Sequence, residues 1–102
     1  MSGTIEGTVV FKENNAPLAD AAVFLDPEGR EVVGTTTDAS GKFVFKNVVA
    51  GLHNVVVQKK GYKRTREQVT VYSEQTVYPR IEVEKGEPKT KKGKTKGTFT
   101  YD

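Results

Sequence analysis

Along most of the chain, apolar residues come in short runs that alternate with polar ones, and nowhere do they recur at the spacing of an amphipathic helix. In "TIEGTVVF", residues 4–11, Ile5, Gly7, Val9 and Phe11 share one face and Glu6 and Thr8 the other. "AAVFL" follows after the turn signal Asn14-Asn15-Ala16-Pro17, and "EVVGTTT" after Asp26-Pro27-Glu28-Gly29. Then come "KFVFKNV", "LHNVVVQ", "QVTVYS" and "VYPRIEV". Seven β-branched and aromatic runs, divided by Gly, Pro, Asn and Asp, predict an all-β domain built as a two-sheet β-sandwich.

Parity assigns faces. Phe43 and Phe45 point one way, with Lys42, Val44 and Lys46 opposite. His53, Val55 and Val57 alternate with Leu52, Asn54 and Val56, so that run is apolar on both faces near its centre and predicts a central strand. Val77-Tyr78-Pro79 predicts an edge strand, because proline has no N–H for a sheet ladder.

The stretch "TTTDASGKFVFKNV", residues 35–48, puts an acid, a hydroxyl, a glycine and a cation in a row. A phosphate-cradling loop needs several glycines between a strand and a helix, and a nucleophile elbow needs Gly-x-Ser-x-Gly. Neither spacing is met. As a turn, every residue has a use: the Asp38 carboxylate accepts N–H bonds from the residues that follow, Gly41 takes a positive φ, and Lys42 opens the next strand.

From Glu84 onward the composition changes. "EKGEPKTKKGKTKG" has no large apolar side chain, so it cannot offset its ordering entropy and predicts a flexible tail. The division is therefore a sandwich over residues 1–83 and a Lys-rich tail over 84–102. In the tail, "GTFTYD" (97–102) alternates again and could add one more strand.

At 102 residues there is room for one core. Charge sharpens the division. Residues 1–83 hold ten basic and ten acidic side chains, while the tail holds six lysines against three acids. With no cysteine, disulfides, thiolate nucleophiles and sulfur metal ligands are excluded. No cationic and apolar leader opens the sequence, and no run approaches the roughly 20 apolar residues that span a bilayer. The expectation is a soluble chain without membrane insertion, extracellular or in the cell envelope if cut from a larger protein, cytoplasmic if complete.

"TTTDASGKFVFKNVVAGLHNVVVQKKGY" resembles the stretch shared by carboxypeptidase regulatory-like domains, where a Thr-Asp-x-x-Gly-x-Phe turn leads through a strand, a glycine and another strand to Gly-Tyr. Ile5, Gly7 and Val9 match the opening strand of that family, and Pro17-Leu18, Ala21 and Val23 its Pro-Leu-x-Gly-Ala-x-Val segment. The resemblance covers residues 4 to 83 and implies a seven-stranded Greek-key sandwich of the transthyretin, or prealbumin, type. Asp20 stands where glycine is usual and His53 where an aromatic is usual. The matched Gly7, Asp38, Gly41, Phe43, Phe45, Gly51, Gly61 and Tyr62 are turn and core positions, informative about fold and silent about function.

Candidate chemistry is sparse. His53 is the sole histidine and the one ordinary candidate for a base near neutral pH, but its inward parity predicts a neutral, hydrogen-bonded core or core-edge residue. Ser2, Ser40 and Ser73 are scattered, and no Ser-His-Asp constellation can be read. One His and no Cys give no zinc pattern, Asp26, Glu28 and Glu31 lack calcium-loop spacing, and no cofactor is called for. The transthyretin-like enzymes that hydrolyse 5-hydroxyisourate carry several histidines and a terminal Tyr-Arg-Gly-Ser, which this chain lacks. CnaB-type adhesin domains, a related family, join Lys to Asn. Lys12 is near the end of the first strand, but "VYPRIEV" offers neither Asn nor Asp, leaving only Asp102.

The most marked non-core feature is basic. "QKKGYKRTRE" sets Lys59, Lys60, Lys63, Arg64 and Arg66 around Gly61-Tyr62, and the tail adds Lys85, Lys89, Lys91, Lys92, Lys94 and Lys96. Two functions stay open. One is a non-catalytic structural or interaction module, an accessory domain of a larger protein that binds a protein or glycan, as a monomer or as a dimer through edge-strand pairing. The other is a module for nucleic acid or sulfated glycan, with the 59–66 loop and tail lysines on the polyanion and Tyr62 stacked on a base or sugar.

Overall fold

The computed structural model describes residues 1–29 and 32–86, and their regular structure is entirely β. The strands are β1 (Ser2–Phe11), β2 (Ala22–Leu25), β3 (Val33–Thr36), β4 (Lys42–Val49), β5 (Gly51–Gln58), β6 (Thr65–Val71), β7 (Thr76–Val77) and β8 (Arg80–Val83). In the first sheet β1 is central: β4 lies antiparallel on one side, and β7 and β8 lie parallel on the other. The second sheet has the order β3-β2-β5-β6, antiparallel throughout. Together they form the predicted sandwich, with β5 inside its sheet and β7 at an edge.

Between the sheets lie the inward positions of each strand. Ile5, Val9, Phe43, Phe45 and Ile81 come from the first sheet, and Val23, Val55, Val57 and Val71 from the second, all buried. Each such side chain contributes about 1.5–3 kcal/mol by leaving water. Phe43 meets Phe45 edge to face at 5.8 Å. The Phe43 ring also fills the space over Gly7, where a Cβ would stand 2.1 Å from its Cζ. Any side chain at position 7 would evict that ring.

One irregularity preserves this core. Ile5 faces Phe45 but Gly3 faces Val48, so β4 carries one extra residue there, and Asn47 absorbs it at φ 57. Strict alternation would aim Asn47 inward. The bulge exposes it and buries Val48 instead.

Three boundaries differ from the pattern-based ones. "VYPRIEV" is two strands, β7 and β8, interrupted at Tyr78-Pro79 where proline cannot bond to the ladder. β6 begins at Thr65, ahead of "QVTVYS", because Thr65 and Arg66 pair with Val57 and Val56. Backbone pairing also runs past Val83: Lys63 N–H donates to Glu84 and Gly86 N–H to Gly61, each at 2.9 Å. The tail beyond residue 86, with the strand considered at 97–102, lies outside the described residues.

The 38–42 turn is held by its own acid. Asp38 Oδ1 accepts the N–H groups of Ser40 and Lys42, both at 2.9 Å, and Gly41 takes φ 77. The bonds from Lys42 and Ser40 stabilise the charged carboxylate and hold its pKa below the usual value. Just before the turn, Thr37 is buried. Its hydroxyl accepts from Ala21 N–H at 2.9 Å and donates to Leu18 O at 2.7 Å, tying the β3–β4 connection to the segment that leads into β2. In Thr37→Val both backbone groups are stranded in the core, at about 1–3 kcal/mol each, whereas Thr37→Ser keeps both bonds. Urea unfolding will show a large loss for the valine variant and a much smaller one for serine.

Candidate functional site

Two places gather chemically capable side chains. The first surrounds His53. β2 ends at Leu25, and Asp26 turns the chain at φ 47. That turn is fixed to β5 twice, by Asp26 N–H donating to Asn54 O at 2.8 Å and by Asn54 N–H donating to Asp26 Oδ1 at 2.7 Å. The second carboxylate oxygen, Oδ2, lies 2.5 Å from His53 Nδ1, while His53 Nε2 lies 2.6 Å from Val49 O. Val49 closes β4 in the first sheet and His53 belongs to β5 in the second, so the ring joins the two sheets near the Val49-Ala50-Gly51 corner.

Both partners of the imidazole are acceptors, so it bonds to both only by donating from both nitrogens, as the imidazolium. Burial, the largest single influence, pulls the His53 pKa down. The hydrogen bond to Asp26, the Val49 carbonyl and the Asp26 charge together outweigh it and raise the pKa above the ordinary value. Against the neutral histidine expected from parity, the two acceptors favour the protonated ring. Parity placed the residue at the core edge but could not disclose the carboxylate beside it. In that protonated form the ring has no lone pair for a substrate proton.

The second place is the seam where the open edges of β6 and β8 approach. A surface hollow of about 440 Å³ is lined there by Lys12, Lys63, Arg64, Thr65, Arg66, Glu67, Arg80, Glu82 and Glu84. It collects Lys63, Arg64 and Arg66 from the basic segment and adds Lys12 and Arg80, which sequence reading had not joined to them. Folded pairing of the first strand with the last brings these together, and local sequence carries no sign of it.

Many of these charges are engaged. Glu84 takes Lys12 and Lys63 at 3.2 Å each, Arg66 meets Glu28 at 2.6 Å, and Arg80 meets Glu82 at 2.8 Å. The bonds from Lys63 and Lys12 lower the Glu84 pKa, and the bond from Arg66 lowers that of Glu28. Lys59 Nζ reaches Asp20 O at 3.4 Å, and Lys60 is exposed. Tyr62 is half-buried, edge-on to Phe11 at 5.7 Å, and packs on the core. Gly61, at φ 88, precedes it. Lys89, Lys91, Lys92, Lys94 and Lys96 lie outside the described residues, as does Asp102, the carboxylate considered for Lys12. Among the described residues no three His, Cys, Asp or Glu side chains group as metal ligands, and no helix is long and apolar enough to cross a membrane.

Sheet order, bulge and buried faces define a transthyretin-like two-sheet sandwich. The chain belongs to the carboxypeptidase regulatory-like domain family, whose model matches residues 4–84. A search among curated proteins finds no match. Among solved structures, the Bacillus anthracis TIE protein superposes with a TM-score of 0.69 at 19% identity, over 82% of this chain and 16% of that one. The group B streptococcus pilus 2b backbone protein gives 0.68 at 20%, over 83% and 42%. A 3-chlorocatechol 1,2-dioxygenase from Rhodococcus opacus gives 0.66 at 13%, over 83% and 60%. At these identities the likeness is one of fold, and the chain spans less than two thirds of each of these structures.

The sign of the His53 effect on stability follows from its raised pKa. Folding favours the protonated ring, so the stabilisation is full below the unfolded value near 6.5 and is lost as pH rises through the higher folded value. The wild-type melting temperature will fall across that window, and His53→Asn will abolish the dependence. At pH 6 the asparagine variant will be less stable by about 1.5–3 kcal/mol, the range for hydrogen bonds that involve a charged group, or roughly 4–8 °C for each kcal/mol.

Proposed function

We propose that this domain is a non-catalytic structural and interaction module, an accessory part of a larger protein that engages a protein or glycan partner. The observation that carries the reading is the commitment of its chemistry to structure. The sole histidine is bonded on both nitrogens, Asp38 serves the backbone, and the lysines and arginines paired at the seam hold acids. The shared fold with a pilus backbone protein supports a setting outside the cell or in its envelope. The fold also occurs in a dioxygenase, so side chains and not architecture carry this reading.

Polyanion binding is the second reading, favoured by the five cations around the seam hollow. Against it, Glu28, Glu82 and Glu84 already neutralise Lys12, Lys63, Arg66 and Arg80 in part, and Tyr62 is packed on Phe11.

Two assays on the full chain test these readings. With p-nitrophenyl acetate the protein will show the buffer rate, unchanged in His53→Asn. A rate above buffer that the variant loses would refute the module. On heparin across a salt series, no retention at physiological salt is expected. Retention that weakens in Lys63→Gln/Arg64→Gln would promote the second reading.

A further inference from the structure

A second hollow sets an acid and an amine side by side without pairing them. It lies on the outer face of the first sheet, holds about 250 Å³, and is walled by Glu6 and Thr8 of β1, Lys42 and Val44 of β4, and Tyr78. Register sets Val44 beside Glu6 and Lys42 beside Thr8, so the acid and the amine are diagonal neighbours across two paired strands. Neither side chain is hydrogen-bonded in an ion pair with the other or with another described residue, although the Lys42 charge is felt by Asp38 at the adjoining turn, whereas Lys12, Lys63, Arg66 and Arg80 all have a carboxylate within 3.2 Å. Two charges of opposite sign thus face one small space with their hydrogen-bonding capacity unspent.

Tyr78 supplies the third wall. It is 71% exposed, and its ring packs on no other among the described residues. Its backbone is nonetheless tightly placed. Pro79 limits the residue before it to extended conformations, and Pro79 O accepts the Thr8 N–H at 3.0 Å. A large aromatic ring is therefore presented from a fixed stem over a strand that carries a carboxylate, a hydroxyl and, one strand away, an amine.

The class of ligand follows from these groups. Opposite charges cancel, which disfavours a net anion or cation and suits a neutral molecule. A carboxylate accepts from adjacent hydroxyls, an ammonium donates to hydroxyl oxygens, and threonine does either. The ring offers an apolar platform. A pyranose has just this division, a C–H face for the ring and a rim of hydroxyls that both donate and accept. The volume falls below the roughly 300 Å³ at which pockets for drug-sized ligands begin, so it admits one sugar ring.

We propose that this hollow binds a single neutral pyranose unit of a glycan, with Tyr78 as the stacking platform and Glu6 and Lys42 as its hydrogen-bonding pair. The proposal rests on the reading of the domain as a binding module and selects glycan over protein as its partner. One shallow contact of this size gives about millimolar affinity, and useful retention on a glycan surface comes from several copies acting together.

The test is a ¹⁵N–¹H titration of the full chain with the methyl glycosides of glucose, galactose, mannose and N-acetylglucosamine. At least one will produce saturable shifts centred on the amides of residues 6–8 and 42–44. Tyr78→Ala will weaken binding about tenfold, Tyr78→Phe will retain it, and Glu6→Gln will weaken it several-fold while leaving the spectrum of a folded sandwich. No saturable shift with any of the four sugars, shifts centred elsewhere, or shifts unchanged in Tyr78→Ala would overturn the proposal. Such a failure removes the glycan alone, because the module reading is tested separately, by turnover that depends on His53 and by retention on heparin.

Discussion

The architecture depends on β1 being bonded along both sides. It pairs antiparallel with β4 on one flank and parallel with β7 and β8 on the other, so the beginning and the end of the described chain meet in one sheet. Parallel neighbours cannot be joined by a tight hairpin, and the whole second sheet is threaded between them. Every inward position of the first sheet is set by this one strand. Gly7 leaves room for the Phe43 ring, Ile5 stands opposite Phe45, and Val9 stands opposite Ile81. Contacts so distant in sequence tie the two ends of the described chain into one core and slow its formation.

The same closure assembles the charged seam and the end clamp. Lys12 and Lys63 share Glu84 only because β8 lies beside β1, and His53 reaches Val49 only because the chain passes from one sheet to the other at the Val49-Ala50-Gly51 corner. In both places groups that could act on a substrate act on the protein. Exposed positions such as Tyr78, by contrast, are not required by the core.

Most of the fold was legible because alternation is a direct record of burial on a pleated strand. Ile5, Val9, Phe43, Phe45, Val55 and Val57 could be assigned to the core on parity alone, and the Asp-x-x-Gly spacing marked a turn. Less legible was whatever broke the period. The bulge at Asn47 shifts parity by one, so that Val48 is buried where alternation would bury Asn47. Thr37 sits within "TTTD", and nothing local separates it from Thr35 and Thr36, although it alone of the three is buried and doubly bonded. At the candidate sites the residues could be named but not their partners. Asp26 and His53 are 27 positions apart, Lys12 and Glu84 72 apart, and only the folded register brings such pairs within reach.

His53 is part of the framework, and its protonation state is the most direct measure of that. Long-range ¹H–¹⁵N spectra at pH 7 report Nδ1 and Nε2 separately. Two nitrogens with the shifts of a doubly protonated imidazolium, in slow exchange with solvent, are the predicted result. A neutral ring with one unprotonated nitrogen would contradict it, since His53 would then keep a free lone pair at the core edge and the bond to either Asp26 or Val49 could not exist as described.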